Sequence, residues 1–147
     1  MLRVRNELAA KRRKARHYGV QALYKWHMIG GDPEEIVLEF CDEYDFLNVD
    51  VEYFSNLLHS ISSQVEDLEA ILLPILDRNL DDLDPIERLV LRLGTFELKK
   101  RPDIPYKVVI SESVALAKKF GATDSHRFIN GVLDKVARLL RSDEMVS

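Results

Sequence analysis

Apolar residues recur along this chain at intervals of three and four, and no stretch of four or more residues alternates strictly between apolar and polar. That period belongs to α-helices. The sharpest segment opens at Asp84–Pro85: Asp84 suits an N-cap, Pro85 the first helical position, and Glu87 can close a capping box. Ile86, Leu89, Val90 and Leu93 follow on one stripe. A second helix opens at Pro105, carries Val109, Leu116 and Phe120 on one face, and closes at Gly121, a residue suited to the left-handed C′ position. A third begins after Asp124, read as its N-cap, and spaces Phe128, Ile129, Val132, Leu133, Val136, Leu139 and Leu140 helically. In the first half, a helix from near Arg5 to Ile29 stops at Gly30–Gly31–Asp32–Pro33. Others follow over Pro33–Tyr44, Val49–Gln64 and Val65–Leu76. The pattern predicts an all-α chain of about seven helices in two packed three-helix-bundle subdomains, 1–80 and 81–147, with a seam near Asn79–Asp84.

Composition narrows the class without deciding it. A chain of 147 residues is one domain or two small halves sharing a core. With 46% apolar and 31% charged residues it is not the composition of a disordered chain. Cys41 is the single cysteine, which excludes an intramolecular disulfide and a thiolate zinc site and leaves a buried, inert thiol as the expectation. The longest apolar run, Ala70–Leu76, is far short of a membrane span, and the basic start has no apolar stretch after it to make a secretory signal. A cytoplasmic protein without membrane association is expected. His17, His27, His59 and His126 lack metal-binding spacing, no nucleophile–base pair is evident, and no glycine-rich cofactor loop occurs. Asp81, Asp82 and Asp84 read as a helix entry rather than a cation site. The expectation is therefore a non-enzymatic protein with no metal and no cofactor.

Charge changes the picture more. The net charge of -4 resolves into +7 over residues 1–25, -16 over 26–87 and +5 over 88–147. Binding depends on local patches, so the acidic total does not exclude nucleic acid. Along the first helix, Ala15, Gly19, Ala22, Leu23 and Trp26 form a core side. Opposite lie Arg13, His17, Gln21 and Tyr24, with Lys14 and Lys25 beside them. Cations neutralise phosphate, an amide reads base edges and a phenol offers a face for stacking, which suits RNA. A charged stripe on a surface helix is commonly just a solvated face. Here, however, Arg12, Arg13, Lys14 and Arg16 have no acid within four residues and stand near a helix N-terminus, where both self-repulsion and the macrodipole oppose them. A chain that keeps such a cluster uses its field.

Four stretches carry a resemblance: Val20–Gln21–Ala22–Leu23–Tyr24–Lys25–Trp26, Pro105–Tyr106–Lys107–Val108, Ala117–Lys118–Lys119–Phe120–Gly121–Ala122, and the long Asp124–Ser125–His126–Arg127–Phe128–Ile129–Asn130–Gly131–Val132–Leu133–Asp134–Lys135. With its length, helix order and basic start, the whole chain resembles the NusB family of bacterial antitermination factors. The resemblance implies two three-helix subdomains and a non-enzymatic RNA-binding role. It implies binding of the boxA element of nascent transcripts, including ribosomal RNA leaders, together with the small-subunit ribosomal protein NusE, in support of an RNA polymerase antitermination complex. By matching motif, RNA contacts are expected at Arg12, Arg13, Lys14, Gln21, Tyr24, Asp124, Arg127 and Phe128, and the NusE contact at Asp81, Asp82, Glu87 and Arg88. Phe128 also reads as core packing at the edge of its helix's apolar stripe, and Asp124 as able to tune affinity by repelling phosphate. The chain departs from the family pattern at His17, where an acid is expected, at Ile75, where an aromatic is expected, and in starting earlier with Arg3 and Arg5. A detached RNA-binding domain related to that of ribosomal RNA methyltransferases is the alternative. Monomer and homodimer both stay open.

Overall fold

The computed structural model describes residues 2–145, and every regular element among them is helical. In order these are α1 (Leu2–Ile29), α2 (Pro33–Glu43), α3 (Val51–Ser63), α4 (Val65–Leu72), α5 (Pro85–Lys100), α6 (Tyr106–Phe120), α7 (Ser125–Leu140) and α8 (Ser142–Met145), with one 3-10 turn at Leu80–Asp82. The seven expected helices are all present, and α8 is added to them. The chain divides into two compact units, Met1–Ser63 and Gln64–Ser147. The division falls ahead of α4, not at residue 80 as the apolar pattern suggested. Glu69 of α4 supplies a physical reason, because its carboxylate is bonded to two arginines of α5.

In the first unit α1 packs against α2 and α3, and α2 against α3. Ala15, Val20 and Leu23 of α1, Ile36, Val37 and Phe40 of α2, and Phe54, Leu57, Leu58 and Ile61 of α3 are buried. Beside them Tyr18, Phe40, Tyr44, Phe46 and Phe54 form a run of ring contacts, each centroid 4.9 to 5.8 Å from the next. Two glycines end α1 because both take positive φ, 76° at Gly30 and 95° at Gly31, which side chains with a Cβ rarely adopt. The Trp26 indole N–H closes the turn by donating to the Gly31 carbonyl at 3.1 Å. Helix α3 starts two residues later than expected. The Asp50 carboxylate accepts the Tyr53 backbone N–H at 3.0 Å, while the Asp50 N–H donates to the Lys11 carbonyl at 3.2 Å. Asp50 thus caps α3 and ties its entry to α1, leaving Val49 buried outside the helix.

In the second unit α5 is the central helix, packed by α4, α6 and α7. Every residue from Leu89 to Leu98 is buried, so the single stripe read from the sequence widens to the whole circumference. The expected capping box is present: the Ile86 N–H donates to Asp84 Oδ1 at 2.8 Å, and the Asp84 N–H to Glu87 Oε1 at 3.3 Å. Two polar brackets hold the helices around α5. Glu69 accepts Arg88 Nε at 2.7 Å and Arg92 Nε at 2.9 Å, with only 12% of its side chain exposed. Burial alone would raise its pKa, but the two guanidinium groups outweigh burial and hold the carboxyl below the usual range. The second bracket is Arg141, just past α7. It donates to the carbonyls of Glu97, Leu98, Arg101 and Ile104, all at 2.8 to 3.1 Å. It therefore adds a donor to carbonyls at and just past the C-terminal end of α5, among them that of Leu98, for which Pro102 supplies no N–H.

Two local readings change. Helix α4 ends at Leu72 rather than Leu76, since Pro74 supplies no backbone N–H. Gly121 ends α6 with φ -89°, in extended rather than left-handed backbone. Glycine is still required there, because a Cβ would lie 2.7 Å from the Ala117 carbonyl oxygen.

Candidate nucleic-acid interface

Helix α1 presents its polar stripe as a graded surface. Arg13 and Lys14 are exposed, Tyr24 is 39% exposed, and Arg12, His17, Gln21 and Lys25 are intermediate. The Gln21 amide donates to the His17 carbonyl one turn back at 3.3 Å. Lys25 is bonded to Glu39 of α2, and that hydrogen bond, with Glu43 and Tyr44 nearby, keeps its ammonium above the usual pKa. The reading of four unpaired cations on α1 needs correction. Arg12 Nε lies 3.8 Å from Asp50, and its guanidinium stands 5.2 Å from the centre of the Tyr53 ring. Arg16 is only 3% exposed and stands 5.5 Å from the same ring. Asp50 and Tyr53 belong to α3 and its entry, far beyond the one-turn window in which a helix pairs with itself. Arg13 and Lys14 are thus the cations of this cluster that face solvent.

At the start of α7, Asp124 is not the expected side-chain cap. Its φ is 70°, and its side chain makes no capping hydrogen bond. An N-cap carboxylate reaches the first-turn N–H groups from extended backbone, which the left-handed conformation does not supply. Instead Asp124 sits 3.7 Å from Arg127 Nε, both side chains being mostly exposed. The adjacent Ser125 is buried, and its hydroxyl donates to Glu87 Oε2 at 2.8 Å. Phe128 is of intermediate exposure, and the Arg78 guanidinium lies 4.3 Å from its ring centre. Arg78 is in turn held by Asp77 at 3.0 Å, which with the added charge of Arg78 keeps the Asp77 carboxyl below its usual pKa. Sequence reasoning passed over Arg78. The available signal was its standing as the only base between residues 26 and 87.

The acidic entry to α5 divides into two kinds of residue. Asp81 and Asp82 are exposed. Glu87 is engaged on both carboxylate oxygens, by the Asp84 N–H and the Ser125 hydroxyl. Arg88 has 18% of its side chain exposed and bridges Glu69 to Asp81, its Nη1 donating to Asp81 Oδ1 at 3.1 Å. Among the described residues no group of three or more histidine, cysteine or acidic side chains could hold a metal, and no helix is long and apolar enough to cross a membrane. Burial raises the Cys41 thiol pKa, away from a reactive thiolate.

The chain is all-α, and its first helix exposes five cations, Arg3, Arg5, Lys11, Arg13 and Lys14, and a phenol near an amide. Its last long helix opens with an exposed arginine and a partly exposed phenylalanine, which places the chain in the class of helical proteins with an exposed basic face. The profile of the NusB family matches residues 13–138. The chain is 51% identical to the transcription antitermination protein NusB of Pseudomonas savastanoi pv. phaseolicola, over 93% of this chain and 83% of that one. It is 49% identical to the protein of the same name from Yersinia enterocolitica, over 90% of this chain and 96% of that one. Among solved structures, T. maritima NusB superposes with a TM-score of 0.77 at 32% identity, covering 86% of this chain and 89% of that one. The chain belongs to the NusB family of transcription antitermination proteins, which is non-enzymatic.

Proposed function

We propose that the chain binds single-stranded boxA RNA of nascent transcripts together with the ribosomal protein NusE, in the cytoplasm, and so joins the RNA polymerase antitermination complex. The observation that carries this reading is the exposed stripe of α1, where Arg13 and Lys14 stand about three helical turns from Tyr24. The two cations neutralise phosphates, Tyr24 offers a stacking face, and Gln21 reaches base edges. Arg12, held by Asp50 and Tyr53, stiffens the start of the stripe. In the second unit Arg127 and Phe128 supply a cation and a ring, Arg78 covers one side of that ring, and Asp124 offsets part of the Arg127 charge. Asp81 and Asp82 provide exposed carboxylates for a basic ribosomal protein. Glu87 and Arg88 act behind them by holding the helix entry in place.

The test is a titration of labelled boxA RNA against a scrambled control, with and without NusE. Preference for boxA that strengthens with NusE supports the reading, and equal binding of both RNAs rejects it. Arg13→Ala should weaken boxA binding and flatten its salt dependence by about 0.7, the value of one lost phosphate contact on a single strand. An unchanged slope removes Arg13 from the footprint. The double variant Asp81→Lys/Asp82→Lys should slow NusE association by about tenfold at low salt and leave boxA binding by the isolated chain intact. Native association kinetics would place NusE elsewhere.

A further inference from the structure

The first turns of α1 lie outside every role assigned above. Leu2–Ala10 are exposed at each position, and the family profile begins only at residue 13. A helical segment that buries no face gains nothing from core packing, so its surface chemistry decides what it does. That chemistry is cationic. Arg3 and Arg5 lead, the first turn holds no acid, and both arginines face the positive end of the helix dipole. The one nearby acid, Glu7, pairs with Arg3 at 3.4 Å, but the two side chains are 92% and 59% exposed. Such a solvent-exposed pair contributes little and is readily exchanged for another anion.

Register gives the segment a direction. At 100° per residue, Arg3, Asn6 and Ala10 continue the stripe of Arg13, His17 and Gln21 toward the helix N-terminus. Arg3 stands ten residues before Arg13, about 15 Å along the axis. Ala10 between them leaves room for a strand to lie close to the helix. Arg5 falls about a third of a turn away from this line. We infer that Arg3 extends the RNA track of α1 and holds a phosphate of the nucleotides adjoining boxA, lengthening the footprint beyond the element itself. This inference rests on the boxA reading. The occupant is single-stranded RNA because the segment is cationic and its Arg3 line is continuous with the phosphate-binding face, while the exposed Val4 and Leu8 lie on the other side of the helix.

The experiment compares boxA RNA alone with boxA carrying a short oligouridine tail on its 5′ or 3′ side, using the full chain. The wild type should bind one tailed RNA more tightly than boxA alone and with a steeper salt dependence. Arg3→Ala should abolish that gain, flatten the slope on the tailed RNA by about 0.7, and leave binding of bare boxA unchanged. Arg5→Ala, also exposed but off the stripe, should keep most of the gain. The inference is overturned if neither tail adds affinity, if Arg3→Ala keeps the gain, or if both variants lose it equally. It is also overturned if Arg3→Ala weakens NusE binding or self-association while the tail gain persists, which would assign the segment to a protein partner. Failure of the wild type to prefer bare boxA over its scrambled control is a different result, and it rejects the boxA reading instead.

Discussion

Arg141→Ala should cost about 3–5 kcal/mol, a large part of the stability of a chain this size. The guanidinium is 8% exposed and serves four backbone carbonyls, those of Glu97, Leu98, Arg101 and Ile104. It also pairs with Glu144 at 2.9 Å, and the Glu144 carboxylate in turn accepts the Tyr106 N–H at 2.8 Å. One side chain therefore links the end of α5, the loop to α6, the first residue of α6, and α8. Truncation strips a donor from all four carbonyls; those of Glu97 and Arg101 keep the Arg101 and Ile104 N–H, but that of Leu98 stands four residues before Pro102, which has no N–H to offer. Arg141→Lys should recover less than half of the loss, because a single ammonium cannot span the separated acceptors that the planar fork reaches. Urea unfolding with the midpoint and slope fitted separately measures both effects. A loss below about 1 kcal/mol in the alanine variant would mean that water replaces the guanidinium at no great cost.

Glu69→Ala should be comparably severe, about 3–5 kcal/mol, because it removes the carboxylate that Arg88 and Arg92 share. Arg92 has only 4% of its side chain exposed, so its charge stays in the interior after the partner is gone. Converting Glu69 and Arg92 together to methionine should return part of the lost stability, since an apolar pair of similar volume removes the more deeply buried charge along with its partner, while Arg88 keeps its bond to Asp81. The double-mutant cycle over these positions measures the coupling. The same site dictates a pH dependence. The carboxyl pKa is lowered in the folded chain from its ordinary 4.5. A lowered carboxyl pKa stabilises the fold above the unfolded value, and that contribution fades as pH falls through the folded value. Stability should therefore drop below about pH 4.5 in the wild type, and the drop should be shallower in the Glu69/Arg92 double methionine variant. Identical acid limbs for the two proteins would exclude Glu69 as the titrating group.

The candidate site was legible in proportion to how local its chemistry is. The α1 stripe follows from 100° steps along one helix, and Arg13, Lys14 and Tyr24 are exposed as that arithmetic requires. Arg12 and Arg16 were misjudged because their neighbours Asp50 and Tyr53 come from another helix and its entry loop. Phe128 could be placed at the edge of an apolar stripe, but not the arginine over its ring, since Arg78 is fifty residues upstream in an acidic stretch. Asp124 carried the composition of a cap, and the left-handed turn that its own backbone makes put the carboxylate elsewhere.

By itself the sequence determined the helical class, the seven principal helices, the α5 capping box and the alternation of basic, acidic and basic segments. Periodicity, capping and net charge act over a few neighbouring residues, so the linear chain carries them in full. Only the tertiary structure decided that α4 joins the second unit, that Glu69 and Arg141 bracket α5, and which arginines of α1 face solvent. Those outcomes depend on buried polar groups finding partners across long separations, and a charged residue that finds one inside the fold is no longer part of the surface its sequence neighbours suggest.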